Sequence, residues 1–245
     1  MDSKEFIANV RRSLGREEGS QVTPSEATHM SLSSQQVESW AQAITRGIEA
    51  HADEYMGQLE KTAVEAGWRV ARCATAAQAA SHIRNIVRDV EATSVLHSAH
   101  PALEALHLGE TLIGTGANLE AMVLNDTSDR EVQRDALRQK AINADIGITG
   151  VDYAIAETGT AVLLARKGVS RVVSLLPPVH IAVVEKGQVL PSLDELFTLR
   201  RKEFLHNNLG SYMNLISGPS RSADIEYQLV TGVHGPGEVH MVLIG

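Results

Sequence analysis

The period of the apolar residues changes once along this chain, near Trp68, and no other feature constrains the fold as much. Before that point Val37, Trp40, Ala41, Ile44 and Ile48 recur at i, i+3, i+4, i+7 and i+11, the stripe of one helical face. The stretch Ser33-x-x-Gln36 has the form of a capping box. The spacing predicts a helix from about Ser34 to Ala66, with Gly57 as its weak point. After Trp68, short β-forming runs alternate with helical ones. WRVARC reads as a strand, Ala76 to Val90 as a helix and TSVLHS as a strand. Further short strands are expected at Thr111 to Ile113 and Leu119 to Leu124. Ser128-x-x-Glu131 opens a helix, and Ala144 to Thr149 is an apolar strand.

The second half continues the pattern. Strands are expected at Thr160 to Ala165, Arg171 to Leu176 and Ile181 to Glu185. Ser192-x-x-Glu195 starts a helix through about Leu205, and Tyr212 to Ser217 is a strand. A turn or helix start covers Pro219 to Leu229, and VHMVLI is the last strand. Strands alternating with helices imply βαβ units and a mostly parallel sheet. Ligands of such sheets sit at the carboxyl ends of the strands, where the strand order reverses.

Ahead of this region Phe6, Ile7, Val10 and Leu14 mark a short amphipathic helix ending near Gly15, and residues 16–30 read as a polar linker. The division expected is therefore an N-terminal helical segment with linker, 1–66, and an α/β domain, 67–245.

Composition narrows the function. Hydrophobic residues make up 43% and aromatics only 4%, so the core is built from Ala, Val, Leu and Ile. Lys and Arg total 22 against 30 Asp and Glu, a formal charge of −8 that opposes general binding to nucleic acid. Cys73 is the single cysteine, so the chain has neither an intrachain disulfide nor an iron–sulfur ligand set of its own. No leader-like run and no window approaching the ~20 apolar residues of a membrane span is present, and a cytoplasmic protein is expected.

Four segments could carry chemistry. In the first, Gly147 to Thr160, Asp152, Glu157, Thr158, Gly159 and Thr160 lie between β-forming stretches. Glu157 before a Gly turn suits a base or an acyl nucleophile, or equally an anchor for loop N–H groups. The second segment is Pro177 to His180. The third runs from Ser217 and Gly218 through Ser220 and Arg221 to Asp224 and Glu226. There a helix N-terminus with an Arg clamp would suit a carboxylate or phosphate; in the plainer reading Ser220 caps a helix and Arg221 pairs with Asp224 or Glu226. The fourth, His234 to His240, puts Glu238 and His240 on one strand face, weak candidates for a metal with His234 or His180. No bound metal is expected. Ile113-Gly-Thr-Gly116 lacks the third Gly of a dinucleotide loop and reads as a turn.

GITGVDYAIAETGTAVL, VVSLLPPVHIAVV, NLISGPSRSADIE and GVHGPGEVHMVLI, in that order, resemble the lactate utilization protein C family and its LUD domain. The likeness is strong over 144–245 and weak over 68–144. It implies a three-layer α/β/α sandwich of the sugar-phosphate isomerase and CoA-transferase type, preceded by N-terminal helices. It implies a non-redox component of a system oxidising L-lactate to pyruvate. That component would bind a small anionic ligand or organise partner subunits that carry the iron–sulfur clusters, with no cofactor in this chain. In CoA-transferases of this fold a glutamate near a glycine turn attacks the acyl thioester, and Glu157 looks similar. The alternative is thus an independent transferase or isomerase using Glu157. A third reading makes the N-terminal helices a docking surface for a partner or a second copy.

Overall fold

The protein is described by a computed structural model covering residue 9 and residues 32–123, 130–165, 171–206, 210, 212–223 and 229–245. Apart from residue 9, the helix expected over 2–14 and the linker over 16–30 lie outside these residues, as does Ser128 of the second capping box.

Helix α1 (Ser34–Ala66) starts at the predicted box: the Ser33 side chain accepts from the Gln36 N–H, and the Gln36 side chain accepts from the Ser33 N–H. It is interrupted at His51 (φ −119°, ψ 18°) and not at Gly57. The break has a packing cause. Ile44 and Ile48 before it pack beside one core, while Met56, Leu59 and Ala63 after it are buried in another. Each fully buried Leu- or Met-sized side chain contributes roughly 1.5–3 kcal/mol.

Six strands form the central sheet: β1 (Arg69–Cys73), β2 (Ser94–His97), β3 (Asn118–Ala121), β4 (Ile146–Gly150), β7 (Val179–Glu185) and β12 (Glu238–Ile244), in the order β1-β12-β7-β4-β2-β3. All its pairings are parallel. Parallel strands covered on both faces read as near-continuous apolar runs, as β4 and β7 do. On one face α2 (Ala76–Asp89), a 3-10 turn (Pro101–Leu106) and α3 (Leu108–Thr111) bury Ile83, Ile86, Leu103 and Leu106 against Ile146, Ile148, Ile181 and Val242.

The other face carries a layer that the periodicity did not reveal. Strands β5 (Tyr153–Ile155), β6 (Thr160–Leu164), β8 (Val189–Leu190) and β9 (Met213–Ile216) make a second sheet, ordered β8-β5-β6-β9. With the later half of α1 it packs Ala154, Ala161 and Leu163 onto Ala182, Val184, Met241 and Leu243. Its outer side packs with α5 (Leu193–Leu205), which opens at the expected Ser192–Glu195 box. At the β2–β3 end, α4 (Arg130–Ile142) and a 3-10 turn (Arg171–Ser174) bury Ala141 and Val173 against Leu96 and Met122.

Three expected elements differ. Thr111 to Ile113 ends a helix, because the Thr111 and Leu112 N–H groups bond back to His107 and Leu108. Arg171 to Leu176 is a 3-10 turn whose Leu175 and Leu176 N–H groups both reach Val172 O; a short apolar run does not distinguish strand from turn by period. Arg221–Ala223 is strand β10, paired antiparallel with β11 (Leu229–Thr231), where a helix start was expected.

Candidate functional site

The Gly-rich motif segments gather at the amino end of the central sheet. Helix α1 ends at Ala66 and β1 begins at Arg69, so the last turn of α1 marks that end. Gly159 (φ +62°) lies so close that a Cβ would stand 2.6 Å from Ala63 backbone. A Cβ on Gly218 (φ +106°) would stand 2.2 Å from Ala66 O, and one on Gly67 (φ +100°) 2.2 Å from the Arg221 guanidinium. Thr62 donates to Ala156 O at 2.7 Å, and Arg221 Nη2 donates to Ala66 O at 3.2 Å. What these loops approach closely is the C-terminal turn of the protein's own helix. Arg221 sits where a cation offsets the negative end of the helix dipole.

The other sequence candidates fall around this junction. Thr158, Thr160 and Ser217 form a chain of hydroxyls with both O···O distances at 2.7 Å. Glu157 and Thr158 are exposed on the β5–β6 turn, and the Glu157 N–H donates to Pro191 O. Ser220 Oγ accepts from the N–H of exposed His234 at 3.2 Å. Neither Ser220 nor Ser222 caps a helix, so the anion clamp expected from Arg221 at a helix N-terminus is not formed: Arg221 opens β10 instead. Asp224, with Glu226, lies outside the described residues.

The pleat separates the histidines. His180 faces the α1 side with Ala182 and Val184, whereas Glu238 and His240 lie with Val242 on the α2 side. A metal set of Glu238, His240 and His180 is therefore not assembled, and no group of three His, Cys, Asp or Glu converges among the described residues. His180 is fully buried, with Nε2 2.8 Å from Thr149 Oγ1. Burial, with the charge of nearby His240, pushes its pKa down to about 3. His240 Nε2 lies 2.7 Å from Glu238 Oε1, which also meets Arg69. Burial lowers the His240 pKa more than Glu238 raises it.

At the opposite end the carboxyl ends of β2 and β4 lie side by side. β3 is placed outside β2, and the chain then returns to put β4 on β2's inner side. That reversal is the position at which doubly wound sheets bind ligands. A cleft of about 490 Å3 opens there, lined by His97, Ser98, His100, Glu104, His107 and Glu110 among others. The Ser98 N–H extends the ladder to Ile148 O. His100 lies across Gly150, where a Cβ would stand 2.3 Å from its Nδ1. His100 Nδ1 accepts from the Ala102 N–H at 3.2 Å, which leaves the ring proton of the neutral imidazole on Nε2. Nε2 stands 3.7 Å from Asp152 Oδ1, outside hydrogen-bond reach, while Asp152 Oδ2 accepts from the Leu164 N–H at 2.7 Å. Among the described residues Ser98 Oγ and His100 Nε2 are buried without a hydrogen-bond partner. An unpaired buried polar atom costs about 1–3 kcal/mol, so two in one cleft wall require a reason. Among the residues nominated from sequence only Asp152 reaches this end. His-Ser-Ala-His-Pro after β2 was the signal that could have found the rest.

Residues 56–244 match the LUD domain family model. The chain belongs to the LUD domain family. This LUD chain is 50% identical to "Lactate utilization protein C" of Halalkalibacterium halodurans over 103 residues, 42% of this chain and 45% of that one. It is 41% identical to the protein of the same name from Bacillus subtilis over 107 residues, 43% and 45% of the two chains. It is also similar to "Lactate utilization protein B" of Bacillus subtilis, at 26% identity over 84% of this chain and 51% of that one. The matched stretches thus span about half the length of these relatives. A crystal structure of a DUF162 family protein from Deinococcus radiodurans matches with a TM-score of 0.54 at 21% identity, covering 79% of this chain and 98% of that one. That likeness concerns the fold. Among the described residues of the LUD chain, no helix is long and apolar enough to cross a membrane.

Proposed function

We propose that this chain serves L-lactate utilization as a non-redox component of a system that converts L-lactate to pyruvate. The observation that carries the reading is the LUD match over 56–244, together with relatives from several bacteria named lactate utilization protein B or C. Oxidising lactate to pyruvate removes two electrons and two protons, which need a redox carrier. One cysteine cannot supply the four thiolates of a cluster, and in this reading the carrier is held by iron–sulfur partner subunits, as the family resemblance implies. The chain's own part is to hold a small ligand or to organise those partners. Of the residues put forward for ligand contact, Asp152 stands at the switch-point end; Thr158 to Thr160, Ser217, Gly218, Ser220, Arg221 and His234 stand at the other. Glu157, the residue of the alternative acyl-transfer reading, stands on an exposed turn where, among the described residues, its backbone N–H donates to Pro191 O.

The test is growth on L-lactate as sole carbon source. A deletion strain should fail to grow and recover with a plasmid copy, and iron–sulfur proteins should co-purify with the tagged chain. Unimpaired growth in a strain with no second LUD gene overturns the reading.

A further inference from the structure

Two buried polar atoms without a hydrogen-bond partner among the described residues stand in the wall of one cleft, at the point where the strand order reverses. Ser98 is 1% exposed and His100 6% exposed, and both line the space of about 490 Å3 beyond the carboxyl ends of β2 and β4. The fold goes to some length to place them. Gly150 is left without a side chain so that the His100 ring can cross the end of β4. The Ala102 N–H occupies Nδ1, which fixes Nε2 as the donor. This leaves the Ser98 hydroxyl and His100 Nε2, which lies 3.7 Å from Asp152 Oδ1, without a hydrogen-bond partner among the described residues.

We infer that this cleft is a binding site for a hydroxylated small molecule that carries no phosphate. The chemistry of the lining sets the class. His97, His100, His107 and Ser98 offer ring-nitrogen and hydroxyl hydrogen-bonding groups, and Glu104 and Glu110 offer acceptors. Among the described residues, none that lines the cleft is Lys or Arg. Phosphate recognition ordinarily draws on guanidinium or ammonium groups or a helix N-terminus of useful length, and α3 has four residues. A ligand rich in hydroxyls can exchange hydrogen bonds with Ser98 Oγ and with the exposed His107 ring. Its other hydroxyls can donate to the glutamates. The volume lies within the range of small-molecule pockets and exceeds what a three-carbon acid fills, so a sugar-sized compound fits. This assignment is independent of the metabolic role proposed above.

The experiment uses the purified full chain and four probes: D-ribose, D-gluconate, L-lactate and ribose 5-phosphate. Histidine-ring NMR signals, assigned with the exposed-rim variant His107→Gln, report where a probe sits, and calorimetry reports affinity. D-Ribose should perturb the His100 and His107 rings and bind at least about tenfold more tightly than D-gluconate or ribose 5-phosphate. Ser98→Ala should weaken that binding about tenfold, the loss expected for one hydrogen bond to a neutral group. Glu104→Gln, at an exposed position, should weaken it too and keeps the test decisive if Ser98→Ala does not fold. No ring perturbation by any probe at millimolar concentration overturns the site. Preferential binding of ribose 5-phosphate overturns the ligand class, and binding of L-lactate alone overturns the size argument.

Discussion

The two ends of the central sheet use glycine for opposite purposes. At the amino end Gly67, Gly159 and Gly218 let the protein's own backbone and one arginine close tightly around the last turn of α1. At the carboxyl end Gly150 makes room for an imidazole, and behind that imidazole space remains. A Gly-rich turn between strands therefore signals a close approach without saying what approaches. The amino end holds the more conspicuous motifs and is filled by the protein itself. The carboxyl end has no recognisable motif and holds the cleft.

Four measurements would break or sharpen this contrast. The largest effect expected is on acid stability through His180, at the amino end of β7. Its folded pKa is lowered to about 3, so the unfolded chain takes up a proton that the folded chain refuses. Stability from this group is fully present above ~6.5, the ordinary imidazole value. It is lost as pH falls toward 3, by on the order of 4–5 kcal/mol. Urea titrations at several pH values should show a shallower slope over that window for His180→Gln, and an unchanged slope would show that His180 protonates freely in the fold.

Next in size is Gly159→Ala, which places a Cβ 2.6 Å from Ala63 backbone in a left-handed conformation. It should cost about 3 kcal/mol or more in chemical denaturation. Gly109→Ala, in the cleft wall with nothing within 4 Å of the added carbon, should change stability by less than about 1 kcal/mol. Equal costs would remove the distinction between the packed and the open end. Arg221→Ala should cost roughly 0.5–1 kcal/mol by releasing the exposed Ala66 carbonyl, and should leave ligand affinity unchanged. Glu157→Gln should leave both the unfolding midpoint and growth on L-lactate as they are. Loss of growth with the fold intact would restore an acyl-transfer role to this carboxylate.

The strand–helix alternation made the parallel sheet legible before any coordinates. Capping boxes at Ser33 and Ser192 marked two helix starts. Of the second sheet only β6 and β9 were legible as strands, since β5 has three residues and β8 two, too few for a period to show. The kink at His51 was misplaced onto Gly57 because a helix breaks where its packing partner changes, and that partner is set elsewhere in the chain.

Local chemistry thus determined this protein's elements: caps, periods and a single cysteine are properties of neighbouring residues, and the sequence states them directly. Only the tertiary structure decided which end of the sheet each motif occupies, what its glycines touch and which face each histidine takes. Those depend on strand order and pleat, which join Gly159 to Ala63 and His100 to Asp152 across long stretches of chain. The same tertiary logic placed the cleft beside His-Ser-Ala-His, four residues whose significance rests on where β4 happens to lie.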